Sequence, residues 1–191
     1  IKADFIISGM QLLDYDVIAL QQSDNSFGTA MLKTQQLPWV SSNLQLEQIP
    51  ASRHTTVNAI PVNIYTLAKF DQNKNAMGNL KLRSQSFKVV KEALNILLTS
   101  YHIKRIPEDF DLTPYDIVIY GHRLEEGAEP ITVDGQLHLG PGVKGMYMGH
   151  LTGEWSDGQF NMRDHRFIKL GPEFEKPNQL TDWYQKYQDA L

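Results

Sequence analysis

Residues 86–101 read Ser-Phe-Lys-Val-Val-Lys-Glu-Ala-Leu-Asn-Ile-Leu-Leu-Thr-Ser-Tyr. Phe87, Val90, Leu94, Leu97 and Tyr101 recur at helical spacing, and Ala93 and Leu98 widen the stripe. Lys88, Lys91, Glu92, Asn95 and Thr99 fall mainly on the opposite side. The pattern predicts an amphipathic helix over about 86–101, capped by Ser84 or Ser86. Pro107 requires the helix to have ended before it. A stripe this broad needs a partner surface, and the flanking segments supply strands.

Upstream, Ile60, Val62, Ile64, Thr66, Ala68 and Phe70 alternate with period two, the signature of a strand. Leu80 and Leu82 suggest a short second strand that would close a hairpin with it. Residues 4–22 read as a first strand or hairpin. Downstream, Asp116–Tyr120 is a compact apolar run, as in a strand buried on both faces. Runs at Ile131–Leu139, Gly145–Trp155 and Gln159–Leu170 follow, separated by Gly140-Pro141-Gly142 and Ser156-Asp157-Gly158, both turn signals. Trp183, Tyr187 and Leu191 predict a short C-terminal helix. The expectation is therefore a strand-rich α+β single domain over 1–191. It consists of an antiparallel sheet, one packed helix and a short terminal helix.

The composition is that of a soluble globular domain: 191 residues, 41% hydrophobic and 21% charged. A net charge of −4 argues against nucleic-acid binding, which depends on neutralising phosphates. Lys81, Arg83, Lys88 and Lys91 read as a solvated face. The absence of cysteine excludes disulfides, thiolate metal sites and a cysteine nucleophile. Membrane insertion is not expected, because the longest apolar stripe is short and interrupted by Lys91, Glu92 and Asn95. The first residue, Ile1, suggests a processed product or excised fragment. The Gln-, Asn-, Ser- and Thr-rich texture suggests an exported, periplasmic or cell-surface protein, or a virion component.

No G-x-S-x-G elbow, dinucleotide fingerprint or phosphate loop is present. Strand alternation sets His138 beside Asp134 and His150 beside Glu154. If the two runs paired, His138, His150, Glu154 and Asp134 would share one face and could hold a divalent metal. No other cofactor is expected. Trp39, Trp155 and Trp183 are candidate partner-binding aromatics, with Trp39, after Pro38, as the exposed anchor.

Three local resemblances are short. Gly135-Gln136-Leu137-His138 resembles the second motif of cupin barrels, but the H-x-H of the first motif has no counterpart. Ala19-Leu20-Gln21-Gln22, Asp157–Asn161 and Asp164-His165 resemble motifs of the nucleases related to DNase I, yet Gln22 stands where those enzymes place a metal-binding glutamate. Tyr15-Asp16-Val17, Val133-Asp134-Gly135 and Asp164-His165 resemble a periplasmic cell-wall-binding family over little of the chain. None assigns a family.

The resulting functional expectation is a non-catalytic binding or assembly subunit that contacts other protein subunits through the irregular stretch 23–53. One alternative is a metal-dependent enzyme or metal-binding module built on His138, His150 and Glu154. The other is a polysaccharide- or cell-wall-binding module using Trp39 or Trp155.

Overall fold

A computed structural model of the chain describes residues 2–27, 32, 36–71, 73, 81–82, 87–122, 129–141, 147–171 and 179–189. The fold is α+β and strand-rich, as expected, but its main sheet is mixed. Strands β4 (Ser52–Val57), β5 (Ile60–Leu67), β7 (Leu94–Thr99), β8 (Ile117–Tyr120), β9 (Ile131–Val133) and β10 (Gln136–Leu139) form six strands in the order β4-β5-β7-β8-β10-β9. The inner four, β5, β7, β8 and β10, run parallel; only the edges β4 and β9 are antiparallel.

This corrects the expected antiparallel sheet, and the quoted stretch explains why. Leu94–Thr99 is a central strand rather than the end of a helix. Its residues alternate between half-buried and buried, with Leu97 fully enclosed. A parallel strand covered on both faces reads as a near-continuous apolar run, and helical spacing fits such a run equally well. Residues 87–90 are irregular and 91–93 form a turn. Phe87 instead packs against Tyr65 and Phe110 beside the main core of Leu97, Val118 and Tyr120. The proposed caps, Ser84 and Ser86, lie outside the described residues.

The N-terminal segment is also corrected. Lys2–Leu12 forms helix α1, not a strand. Phe5 meets Trp183 and Tyr187 edge-on, and the Trp183 indole N–H donates to Ser8 Oγ at 2.8 Å. These groups belong to helix α2 (Gln179–Asp189), the expected terminal helix. Tertiary packing thus decides a segment whose short Phe5-Ile6-Ile7 run resembles a strand.

Two-residue strands β1 (Ile18–Ala19) and β2 (Trp39–Val40) pair in parallel, and β3 (Leu44–Gln45) pairs with β6 (Lys81–Leu82). The expected hairpin between 60–70 and 79–83 is absent, since β5 pairs instead with β4 and β7. Strands β11 (Tyr147–Ser156) and β12 (Gln159–Lys169) form a separate long hairpin around Asp157-Gly158. Both turn residues have positive φ, 53° and 72°, which suits the Asp-Gly pair. Gly153 in β11 is required by close approach, because a Cβ there would lie 2.6 Å from the Asn161 carbonyl oxygen.

Past the end of β4, the segment Ser41-Ser42-Asn43 takes over the free edge of β5. Ser42 N–H donates to Thr66 Oγ1 at 3.0 Å, and Thr66 N–H donates to Ser42 Oγ at 2.8 Å. Asn43 closes the same pattern on Ala68, donating to its carbonyl at 2.6 Å and accepting from its N–H at 2.8 Å. Side chains here replace a strand partner, so the buried backbone stays paired.

Candidate ligand pocket at the carboxyl ends of the parallel strands

Open parallel sheets bind ligands outside the carboxyl ends of their strands, where the chain leaves the sheet in loops. Here that edge carries a cavity of about 730 Å³. Lys69 reaches it two residues after β5, Thr99 and Ser100 at the end of β7, and Tyr120, Gly121 and His122 at the end of β8. Gln21 and Gln22 close it from the segment after β1.

The rim is stitched by hydrogen bonds between these exits. Ser100 N–H and Thr99 Oγ1 both donate to the Leu67 carbonyl, at 3.2 and 2.9 Å. Lys69 N–H donates to Ser100 Oγ at 2.7 Å, and Gly121 N–H donates to the Thr99 carbonyl at 2.6 Å. The Gln22 side chain grips the backbone of Asp71 with two bonds of 2.8 Å. This fixes the 3-10 turn Gln22–Phe27 against the segment leaving β5. A preorganised rim of this kind holds polar groups without first having to order them.

Among the described residues, the larger cavity carries one fixed charge of each sign. Lys69 and His122 line the cavity, with Asp71 the single carboxylate among the described lining residues. Asp71 Oδ1 already accepts Asn73 N–H at 3.0 Å. An adjoining cavity of about 430 Å³ shares Lys69, Ser100 and His122 and adds His102, Lys104 and Arg105. The remaining wall of the larger cavity combines uncharged polar groups with the apolar Ala19, Leu98 and Ile119, so the positive excess that suits an anionic ligand comes from the adjoining basic residues.

The candidate metal residues are scattered. His138 is buried in β10, which pairs with β8 and β9 and not with β11. Asp134 occupies the exposed β9–β10 turn with φ 49°. His150 lies opposite Arg166 on the separate hairpin, and the Glu154 carboxylate is held by Arg163. The pairing that would have joined them does not form. Among the described residues no three His, Asp or Glu side chains converge. Among the described residues, the larger cavity offers one imidazole and one carboxylate, short of the three protein donors of a typical catalytic site.

The candidate aromatics are also apart. Trp39, expected as an exposed anchor, is 6% exposed and packs with Leu20, Leu46 and Ile49. Trp183 is committed to α1, and Trp155 lies half-buried on β11, opposite Phe160. Sequence reasoning missed Lys69, Ser100 and His122. The available signal was position: each stands one or two residues past the end of a strand.

His138 has a structural part. Its Nδ1 lies 2.8 Å from the Tyr120 hydroxyl and its ring stacks on Tyr120, while Nε2 is buried without a partner. Burial lowers the His138 pKa and pushes that of Tyr120 up to about 12. The unfolded chain therefore takes up the His138 proton first as pH falls below the ordinary imidazole value. Stability present above that value is lost on acidification, with a slope approaching about 1.4 kcal/mol per pH unit. Thermal melts should show a falling Tm from pH 7 to 5. The fall should be shallower in a Tyr120→Phe/His138→Phe double variant, which removes both hydrogen-bonding partners together.

No protein-family model and no curated protein sequence matches the chain. Solved structures do resemble it. A calcineurin-like phosphoesterase from Bacillus subtilis superposes with a TM-score of 0.69 at 18% identity, covering 97% of this chain and 73% of that one. A 5'-nucleotidase precursor from Thermus thermophilus gives 0.72 at 14% identity, covering 99% and 46%. An NAD nucleotidase from Haemophilus influenzae gives 0.73 at 10% identity, covering 97% and 52%. The chain thus spans about half the length of the two nucleotidases. At such identities the likeness establishes the fold, and it is a fold found within hydrolytic enzymes. This overturns the expectation of a non-catalytic structural or assembly subunit, and the enzyme alternative is the nearer one.

Proposed function

We propose that the chain forms the ligand-holding part of a hydrolase acting on small phosphorylated molecules, with nucleotides the foremost class. The observation that carries this reading is the 730 Å³ cavity at the carboxyl ends of β5, β7 and β8, with Lys69 and His122 on its wall. Its volume suits a nucleotide-sized ligand, and the Lys69 ammonium suits a phosphoryl group. The likeness to nucleotidases and a phosphoesterase supports the same reading. Metal-assisted hydrolysis would need donors beyond those the described residues bring together. We also propose export for this protein: one similar structure is of a precursor protein, and no helix among the described residues is long and apolar enough to cross a membrane.

Calorimetric titration tests the proposal, with AMP compared against adenosine. AMP should bind and adenosine should bind far more weakly. Lys69→Ala should weaken AMP roughly 10- to 100-fold, as expected for one charge-assisted contact. Equal binding of both ligands, or of neither, overturns the reading. Phosphate release from AMP, assayed with added divalent ions, then separates holding the ligand from cleaving it.

A further inference from the structure

The smaller cavity differs from the larger one in a way that the reading above does not use. Its charged walls are all basic: Lys69, Lys104 and Arg105, joined by the imidazoles of His102 and His122. Among the described residues no carboxylate lines it, in a chain whose net charge is −4. Like charges gathered around a concave space suit an occupant of opposite sign.

The geometry supports this further. Ile103–Arg105 forms a single 3-10 turn directly after the Ser100-Tyr101 exit from β7. His102 caps the turn, with Nδ1 accepting the Lys104 backbone N–H at 3.3 Å. That bond leaves Nε2 as the protonated nitrogen of the neutral ring, so His102 is a donor there whatever its charge. Ser100 sits between the two cavities and its Oγ is occupied by the Lys69 N–H, which holds the lysine backbone at the shared wall. Lys69, Ser100 and His122 line both cavities, so the two spaces share a wall.

We infer that the smaller cavity is a second anion seat and that the ligand carries two linked phosphoryl groups, a diphosphate or pyrophosphate linkage rather than a lone monophosphate. The inference rests on the reading of the larger cavity as a phosphoryl site. Within it, Lys69 and His122 serve both groups, while Arg105, Lys104 and the His102 N–H serve the second alone. Arginine suits this part because its planar fork matches phosphate oxygens in pairs.

The test is calorimetric titration of the full chain with inorganic phosphate and with pyrophosphate. Wild-type protein should bind pyrophosphate at least about 10-fold more tightly than phosphate, from at least one added charge-assisted contact. A Lys104→Ala/Arg105→Ala variant should lose this preference while its phosphate affinity stays within about twofold. Both side chains are exposed, so the variant should keep the wild-type circular dichroism spectrum. Arg105→Glu should weaken pyrophosphate further. Phosphate binding that depends on Lys69 but shows no pyrophosphate preference overturns the second seat alone. So does a preference that survives the double variant. Failure of both anions to bind overturns the second seat and the phosphoryl reading together.

Discussion

Leu97→Ala should destabilise the protein by about 3–5 kcal/mol, while Leu98→Ala should cost far less. Leu97 is fully enclosed in the core with Tyr65, Phe110 and Val118. Removing it forfeits both transfer energy and packing around the cavity left behind. Leu98 lies on the other face of the same strand, half-buried, at the wall of the ligand cavity. Two adjacent leucines therefore separate by strand alternation. Denaturant titration checks the difference, and a Tm loss of roughly 10 °C is expected for Leu97→Ala. Equal costs at the two positions would return this segment to a helix.

Asn43→Ala is the second large effect. Asn43 is 1% exposed and supplies both hydrogen bonds to the backbone of Ala68. Truncation leaves a buried N–H and a buried carbonyl without partners, at about 1–3 kcal/mol each. A total near 3 kcal/mol is expected. Ala68 immediately precedes Lys69, so the loss should also loosen the ligand rim and weaken AMP binding several-fold below the melting transition. Ser41→Ala is the control. It removes one bond, from Ser41 Oγ to the Leu44 carbonyl at 2.9 Å, and should cost about 1 kcal/mol without touching the rim.

These cases show what was legible in the residues. The period-two run at 60–70 became β5, the compact 116–120 run became β8, and Asp157-Gly158 turned the long hairpin, because each signal is local. Leu94–Thr99 was misread because short apolar runs satisfy either period. That one segment is the middle of the parallel sheet, so losing it hid the carboxyl edge where the exits of β5, β7 and β8 meet. Asn43 gave no signal, since its partner lies 25 residues away. Lys69, Ser100 and His122 become neighbours only once the parallel register is known.

One chain of hydrogen bonds through β4, β5 and β7 has a sense of direction. Asn95 Nδ2 donates to the Val90 and Ala93 carbonyls, both at 2.9 Å, which orients its Oδ1 toward Asn63. Asn63 Nδ2 donates to that oxygen at 3.0 Å, so its own Oδ1 faces His54 Nδ1 at 2.6 Å and must accept from it. In the neutral ring His54 Nε2 is then an acceptor, 2.8 Å from Ser52 Oγ. Every donor points inward, and the sequence ends on backbone carbonyls that cannot donate in return. The chain cannot reverse while that ring is neutral, and its bonds polarise one another in a single sense. At the edge strand, Ser52 commits its hydroxyl hydrogen inward and offers solvent only lone pairs. A buried asparagine more than 40 residues away thereby sets the polarity that one surface hydroxyl presents to the outside.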